Sequence, residues 1–242
     1  VINYTMEDNH GATSSSTATI TITGTNDGPV ANADAVTITE NANATLNVLA
    51  NDTDVDLLDT HTLTSVSHAN ASIVNNELVF TTGTDFDYLA VGESVDVVIN
   101  YTMQDNHGAT SSSTATITIN GTNDGPTIVS ATNASNSLTE NPSLSYKGNI
   151  NVSDVDVSNI VNAAITANAN GGTYTGTFNG AALVALSSNP VINNSSTTGT
   201  LAWTFNNGAA EQFDFLAEGE TLVLNYTVTL TDSAGATATQ NL

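Results

Sequence analysis

The sequence predicts an all-β protein built from tandem β-sandwich domains in an elongated array. Three observations lead to this prediction. A long segment recurs almost unchanged, apolar and polar residues alternate with a period of two, and no stretch carries the sustained apolar stripe of an amphipathic helix. The recurrence defines the units of the array, and the alternation defines the strands within each unit.

The strongest repeat links the beginning of the chain to its middle. Residues 1–30 return as residues 98–127, with 27 of the 30 positions identical. Weaker pairs follow in the same order along the chain: 37–56 with 137–157, 86–94 with 213–221, and a third copy of the first repeat at 224–242. A window of this kind is expected from a longer tandem array.

These repeats predict three units. Residues 1–30 are the last two strands of a preceding unit with its linker, and residues 31–127 are a complete unit. Residues 128–242 are a longer unit with an inserted hairpin within 171–206 and a truncated last strand.

The local pattern within each unit predicts strands. β-Branched residues alternate with polar ones in four segments, at 35–39, 94–102, 114–119 and 221–230. Asn-Asp, Asp-Gly, His-Gly and Gly-Gly pairs separate the segments, and the most helix-like stretch, 86–90, predicts a single turn. About seven short strands in about 97 residues, without cysteine, predict an immunoglobulin-like sandwich.

Two aromatic features are expected in the cores. Trp203 is the only tryptophan, and such a side chain is usually buried. Tyr4, Tyr101 and Tyr226 occupy one repeat position and are expected to be the buried corner tyrosine of a sandwich.

The charge balance excludes several classes of function. The chain has 24 Asp and Glu residues against one Lys or Arg, and its formal net charge is −23. Binding to nucleic acid or to an anionic membrane surface needs several basic side chains, so neither is expected. No apolar run reaches the roughly 18 residues of a membrane span, so we expect no membrane insertion. The absence of cysteine excludes disulfides and thiolate sites.

The carboxylates cluster, and the clusters recur. Asp52, Asp54, Asp56 and Asp59 lie within eight residues, and Asp154 with Asp156 repeats the central pair. Two carboxylates about 4 Å apart repel by roughly 4 kcal/mol at an effective dielectric constant near 20. Either these acids point apart into water, or an external cation lies among them. Hard oxygen ligands at this density, without His or Cys beside them, match Ca²⁺.

Two known calcium loops do not fit. An EF-hand that starts at Asp52 would place Leu57 where glycine is needed and Leu63 where the closing Glu is needed. One that starts at Asp154 would place Asn159 and Ile165 there. The glycine-rich nonapeptide of β-helices is also missing. Calcium is therefore expected in the loops of a sandwich.

The order of the motifs resembles a cadherin repeat. TENPSLSYKGNINVSDVDV, FDFLAEGE and NYTVTLTDSAG follow one another as in that family, and GTNDGP resembles its acidic linker. NDGPVANADAVTITENANATLNVLANDTDVD with FDYLAVGES is similar to the bacterial cadherin-like repeats, often called VCBS repeats, of repeats-in-toxin (RTX) surface adhesins. The resemblance implies tandem immunoglobulin-like and cadherin-like sandwiches.

The resemblance also implies Ca²⁺ ions held between consecutive domains. Near residue 125 the implied ligands come from both units and the linker: Glu40, Glu93, Asn123, Asp124, Asp154, Asp156 and Asp232. Near residue 28 they are Asn26, Asp27, Asp54, Asp56 and Asp105. Gly24 and Gly121 replace the first acid of the linker, and the acidic turn lacks the usual Asp before its Glu, which implies fewer ions per junction. Asp52, Asp85 or Asp87 could compensate.

The function implied is that of an extracellular calcium-rigidified spacer in a bacterial surface adhesin that serves cell adhesion or biofilm formation. Its partners would be calcium ions, neighbouring repeats and, through other domains, a host or cell-surface ligand. Outer-membrane anchoring would lie in parts of the protein outside this sequence. The alternative is that residues 128–242, with their insertion, bind a sugar or a protein.

No enzymatic activity is expected. Ser14–Ser16 have no paired base, and neither a Gly-x-Ser-x-Gly elbow nor a His-Glu-x-x-His motif is present. His10 and His107 lie in Asp-Asn-His-Gly segments and are expected to be turn residues and not ligands.

Overall fold

The computed structural model describes residues 1–132, 138–140, 144–176, 178, 183–207 and 212–242. These residues contain sixteen strands and no α-helix, which confirms the all-β prediction. It follows that nothing in the described chain is a helix capable of crossing a lipid bilayer.

The chain begins with an isolated hairpin. β1 (Ile2–Glu7) pairs antiparallel with β2 (Thr13–Ala18), and the side chains of both strands are exposed. The carboxylate of Asp8 closes the turn by accepting hydrogen bonds from the backbone N–H groups of His10 and Ala12, both at 2.8 Å. His10 therefore lies in a turn, as expected. Tyr4 is exposed here and does not occupy a core.

The first sandwich has the seven strands that the sequence predicts. They are β3 (Asp34–Thr39), β4 (Ala44–Leu46), β5 (His61–Val66), β6 (Ala71–Val74), β7 (Glu77–Phe80), β8 (Ser94–Asp105) and β9 (Thr110–Asn120). One sheet has the order β3-β9-β8-β5 and the other β4-β7-β6. β3 runs parallel to β9, and the other pairs are antiparallel.

The core of the first sandwich follows the period-two pattern. Alternate residues of β8 and β9 are buried, among them Ile99, Tyr101 and Ile117. The Tyr101 hydroxyl donates a hydrogen bond to the carbonyl oxygen of Asn32 at 2.6 Å, as a corner tyrosine does. The predicted turn at 86–90 is present, because the Leu89 N–H donates to the Phe86 carbonyl.

The second sandwich also has seven described strands. They are β10 (Thr127–Ala131), β11 (Ser145–Ser153), β12 (Asn162–Gly172), β13 (Val184–Leu186), β14 (Thr198–Asn206), β15 (Leu222–Thr231) and β16 (Thr237–Asn241). Its sheets have the orders β10-β11-β14-β13 and β12-β15-β16. Trp203 is buried beside Tyr146, with ring centroids 5.6 Å apart, which confirms its expected place in the core.

The two sandwiches share most of their topology. β11-β14-β13 corresponds to β4-β7-β6, and β12-β15-β16 corresponds to β5-β8-β9. The β13–β14 hairpin, inside the predicted insertion, therefore has its counterpart in β6–β7, but the connection between its two strands is longer. Residues 177 and 179–182 of that insertion lie outside the described residues. The first strands differ, since β10 pairs with β11 whereas β3 pairs with β9.

Candidate metal centre

Polar residues from three parts of the chain meet where the two sandwiches join. We call this region the second junction; its members are Glu40, Asp87, Asn123, Asp124, Asp154, Asp156, Asn159 and Asp232. Glu40 follows β3, and Asp87 lies in the turn before β8. The linker between β9 and β10 supplies Asn123 and Asp124. The other four lie in the loops that follow β11 and β15.

A chain of hydrogen bonds ties the linker to the second sandwich. The Asn123 amide donates to Asp232 Oδ2 at 2.9 Å, and the Asp124 N–H donates to Asp156 Oδ2 at 3.0 Å. The Asn159 amide donates to Asp156 Oδ2 at 2.9 Å and to Asn123 Oδ1 at 3.1 Å. The linker is therefore held directly over these loops.

Local turns orient two of the carboxylates. Asp156 donates its backbone N–H to Asp154 Oδ1 at 3.1 Å, so the Asp-x-Asp loop closes on itself. Asp232 Oδ1 accepts the N–H groups of Ala234 and Ala236 at 2.9 and 2.8 Å. These bonds occupy one oxygen of Asp154 and one of Asp232, and they fix the direction of the other.

The first sandwich contacts the same region. The Thr122 N–H donates to Glu40 Oε1 at 2.8 Å, and the Val157 N–H donates to the Tyr88 carbonyl oxygen at 3.3 Å. Gly121 explains why the linker lacks an acid at this position, because a Cβ there would lie 2.2 Å from the Leu89 carbonyl oxygen. The linker can pass the turn that contains Leu89 only with a glycine at this point.

Several buried oxygens at the second junction have no hydrogen-bond partner. Glu40, Asp154 and Asp156 are at most 1% exposed. Four oxygens are both buried and unpartnered: Glu40 Oε2, Asp87 Oδ1, Asp154 Oδ2 and Asp156 Oδ1. A buried charge without a partner costs several kcal/mol. Lys147, the only Lys or Arg of the chain, is exposed and lies about 20 Å from Asp154 along extended chain.

The pKa values reflect this crowding. Burial raises the pKa of Asp156 to about 7; the Asp124 N–H opposes the shift, and the charges of Asp154, Asp124 and Glu40 add to it. Burial also raises the pKa of Asp154, with contributions from the charges of Asp232 and Asp124. The pKa of Asp124 is raised by burial and by the charge of Asp87. These couplings place carboxylates of both sandwiches within electrostatic reach of each other.

Six of the seven residues predicted for this junction lie together, namely Glu40, Asn123, Asp124, Asp154, Asp156 and Asp232. Glu93 is different, because it is exposed and its carboxylate accepts the N–H of Ala90 at 3.1 Å. Of the possible compensating acids, Asp87 faces Asp124, whereas Asp85 accepts the amide of Asn70.

The first junction, near residue 28, repeats the same contacts. Its members are Asn26, Asp27, Asp54, Asp56, Asp59 and Asp105. The Asn26 amide donates to Asp105 Oδ2 at 3.0 Å, and the Asp27 N–H donates to Asp56 Oδ2 at 2.7 Å. Asp56 closes on Asp54 Oδ1 at 2.9 Å. The hydrogen bond from Asn26 is the main cause that lowers the pKa of Asp105.

Two histidines lie against this first group, contrary to the expectation of acids without His beside them. Carboxylate oxygens of Asp54, Asp56 and Asp59 lie within 4.8 Å of one another. His61 Nε2 is 3.4 Å from Asp54 Oδ2, and His107 Nε2 is 3.4 Å from Asp59 Oδ1. His107 comes from the turn after β8, so its proximity depends on the fold and not on sequence spacing.

Asp59 and Asn159 were absent from the predicted ligand set, although a signal for them exists. The two Asp-x-Asp segments continue as Asp-x-Asp-x-x-Asp and Asp-x-Asp-x-x-Asn. Asp59 donates its N–H to the Asp56 carbonyl at 2.9 Å, and Asn159 does the same to Asp156 at 3.1 Å. Extending the repeat alignment by three residues finds both.

An all-oxygen donor set of this kind suits Ca²⁺, which takes six to eight oxygens from carboxylates, amides and carbonyls. The unpartnered oxygens at the second junction are consistent with such an ion, because they are buried and have no hydrogen-bond partner in the protein.

Comparison with known proteins supports the cadherin-like fold. Residues 26–121 match a family model described as bacterial cadherin-like domain. Curated proteins give no match.

Solved structures that resemble the chain include cadherin fragments. With PcdhgB3 EC1-4 the identity is 12%, the TM-score 0.47, and 99% of this chain aligns with 62% of that one. With protocadherin gamma B2 domains 1–5 the identity is 15% and the TM-score 0.49, and 99% of this chain aligns with 43% of that one. With the protocadherin gamma B4 extracellular domain the identity is 16% and the TM-score 0.49, and 99% of this chain aligns with 35% of that one. The chain thus spans less than two thirds of each of these structures.

Proposed function

We propose that this chain is a calcium-binding spacer segment of a bacterial surface adhesin, of the VCBS type found in RTX adhesins. Ca²⁺ held at the junctions between consecutive sandwiches stiffens the array. The observation that carries the proposal is the set of buried, unpartnered carboxylate oxygens at the second junction, with no Lys or Arg side chain to neutralise them.

The proposed ligands come from three parts of the chain. Glu40 and Asp87 belong to the first sandwich, Asn123 and Asp124 to the linker, and Asp154, Asp156 and Asp232 to the second sandwich. Bound Ca²⁺ supplies the positive charge that these groups lack. Because the ligands meet only in one relative orientation of the two sandwiches, binding selects that orientation.

The linker itself limits the hinge without fixing it. Pro126 restricts its own backbone and that of Gly125, and a hydrogen bond from the Val157 N–H to the Tyr88 carbonyl oxygen joins the two sandwiches. Without an ion, the charges of Glu40, Asp124 and Asp156 repel one another across the second junction. We therefore expect the two sandwiches to move apart at this junction when calcium is removed.

The family match supports the biological setting. Because residues 26–121 match a bacterial cadherin-like domain, we place the protein outside the cell, as part of an adhesin that acts in cell adhesion or biofilm formation. Residues 1–30, 31–127 and 128–242 would be successive units. Anchoring in the outer membrane and binding of a host or cell-surface ligand would belong to other parts of the protein.

The alternative of a sugar- or protein-binding unit at 128–242 stays a prediction. In the segment that would carry it, Tyr174 packs on Phe215 with ring centroids 4.8 Å apart, and Phe178 packs on Phe213 at 5.3 Å. These four aromatic rings thus pack against one another.

The test is to measure stability and shape with and without calcium. At a calcium concentration about 100 times the dissociation constant, each site should add about 2.7 kcal/mol to the free energy of unfolding. This corresponds to a rise of roughly 10–20 °C in the melting temperature of a small domain. Calorimetry measures the rise, and small-angle scattering should show a longer particle with calcium than in EDTA. Equal concentrations of Mg²⁺ control for ionic strength, and identical profiles in calcium and EDTA refute the proposal.

A further inference from the structure

A segment that is buried in the first sandwich recurs in exposed form near the start of the chain. Residues 114–119 of β9 read TATITI, and residues 17–22 have the same sequence. The two isoleucines of the β9 copy are fully buried, whereas Ile20 and Ile22 are 66% and 90% exposed and lie beyond the end of β2. We call residues 17–22 the exposed segment. Its sequence is that of a strand which, in β9, packs into a core.

The second sandwich has a sheet edge at which a strand of this kind fits. β16 follows β15 only as far as Tyr226, which exchanges both backbone hydrogen bonds with Leu242. In the part of the chain that the structure describes, β15 pairs with no further strand on this side between Tyr226 and Leu222. Backbone groups alternate in direction along a strand, so the N–H and C=O groups of Leu224 and Leu222 point to this side. We call this part of β15 the open edge.

The first sandwich supplies the register for pairing at the open edge. There β9 continues along β8 over the equivalent residues, and Thr116 lies opposite Val98. The Val-x-Asn-Tyr motif of β8 recurs in β15, so Val223 is the counterpart of Val98. The exposed segment has Thr19 where β9 has Thr116. The repeat therefore predicts that Thr19 lies opposite Val223 when the exposed segment pairs with the open edge.

We propose that the exposed segment of one copy of the chain adds as a strand to the open edge of a second copy, so that copies join head to tail. Ile20 then lies opposite Leu222 and on the same face as Leu224, which is partly buried at the border of the second core. The added strand displaces no other strand. Backbone pairing and burial of apolar side chains supply the contact, so the inference does not rest on the calcium function.

The partner is a second copy, because the exposed segment cannot reach the open edge of its own chain. Val30 pairs with Thr53 beside the first junction, and Leu222 lies at the opposite end of β15 from Asp232 of the second junction. The two places are separated by the length of two sandwiches, about 65 Å for two strands of ten residues. Residues 23–29 span at most about 25 Å. Each copy carries both the exposed segment and the open edge, so the contact repeats from copy to copy.

Disulfide cross-linking tests the register, because the chain has no cysteine of its own. Thr19→Cys is made in one sample and Val223→Cys in another, and both side chains are exposed. Val223 directs its backbone groups away from the open edge, so it is a non-hydrogen-bonded position with a Cα–Cα distance of about 4.5 Å to its partner, which a disulfide can span. Mixing and mild oxidation should give a covalent dimer. Thr21→Cys mixed with Val223→Cys is two residues out of register and should cross-link at least tenfold more slowly.

Sedimentation of the full chain in EDTA measures the same contact without calcium. The wild type should associate as its concentration rises, and Ile20→Asp should weaken the association at least tenfold. Ile20 is exposed in the single chain, so the fold should be retained. Met6→Asp is the matched control, because Met6 is 62% exposed in β1, outside the exposed segment, and it should associate like the wild type.

Three results overturn the proposal. The first is a wild-type chain that stays monomeric at about 1 mM. The second is equal cross-linking of Thr19→Cys and Thr21→Cys to Val223→Cys. The third is an equal loss of association in Met6→Asp and Ile20→Asp, which would place the contact on the face of the hairpin. Because these measurements are made in EDTA, they are decided separately from the calcium titrations.

Discussion

The two junctions contain the same hydrogen-bonded frame in different surroundings. In both, a linker Asn donates to the Asp at the end of the penultimate strand, and the next linker residue donates to the Asp-x-Asp loop. At the second junction Asp154 and Asp156 are buried, whereas Asp54 and Asp56 at the first are only partly buried. One sandwich and its linker are therefore enough to build the frame, and the neighbouring sandwich adds burial and further carboxylates.

The apolar residues around each loop show the same contrast. Leu57 and Leu58 at the first junction are 93% and 94% exposed. At the second junction the corresponding loop contacts the turn of the first sandwich through the Val157–Tyr88 hydrogen bond, and Val157 is 43% exposed. The first junction thus shows the half of the interface that one sandwich presents alone.

The largest difference between the junctions should follow from removing the central acid of each. Asp156→Ala removes a carboxylate that contacts the linker and is coupled to Glu40, so calcium affinity at the second junction should fall at least 100-fold, or about 2.7 kcal/mol. Without calcium at pH 8, where Asp156 is ionised, the same change should raise the melting temperature, because it removes a buried charge. Calorimetry in calcium and in EDTA measures both effects.

The matched control is Asp56→Ala at the first junction. It should leave the calcium-dependent melting of the second junction and the distance between the two sandwiches unchanged, since Asp56 contacts only the first junction. Fluorescence transfer between labels on the two sandwiches reports that distance. If the two alanine variants lost the same stability in calcium, the contrast between the junctions would be wrong.

The sequence predicted the fold well for reasons that are local. Period-two alternation around Ile99, Tyr101 and Ile117 identifies strands because one face of each must be buried. The pairing of β10 with β11 in place of a parallel first strand has no comparable signal, because it depends on which sheet edge the strand reaches. Tertiary contacts, and not the β-propensity of its residues, determine which sheet edge a strand joins.

The site was predictable where residues recur and unpredictable where the fold brings them together. Asp54, Asp56, Asp154 and Asp156 recur in sequence, so the repeat alone indicates them. Asp87 and His107 lie beside the acids only because a turn and a hairpin end fold back over the loops. Glu93 shows the opposite case, since a motif position implied a ligand and the structure gives the side chain a local contact with Ala90.

The melting temperature without calcium should depend on pH in a defined direction, because of Asp156 at the second junction. The pKa of Asp156 is about 7 in the folded chain, above the ordinary value near 3.9 for an unfolded Asp. The folded state therefore binds the proton of Asp156 more tightly than the unfolded state does. The stability that this protonation contributes is fully present below about pH 4 and is lost as the pH rises through about 7. Melting in EDTA should shift to lower temperature between pH 5 and pH 8, and calcium should reverse the shift at pH 8.

Asp156→Asn tests the assignment of this effect. The amide is neutral at every pH in the range, so most of the pH dependence in EDTA should disappear. A wild-type protein whose melting temperature in EDTA stays constant or rises between pH 5 and pH 8 would contradict the predicted direction.

The last comparison exchanges Asn159 and Asp59 between the junctions, and the smallest effect is expected for Asp59→Asn. Asn159→Asp removes the donor to Asp156 and Asn123 and adds a negative charge, so without calcium it should destabilise the second sandwich by about 1–3 kcal/mol. Asp59→Asn removes one of three neighbouring carboxylates and should change stability without added metal by less than about 1 kcal/mol. Denaturant melts in EDTA measure both. Saturating calcium should recover part of the loss in Asn159→Asp, because the new carboxylate then has a counter-charge. An equal loss in calcium and in EDTA would show that Asn159 acts only through its hydrogen bonds.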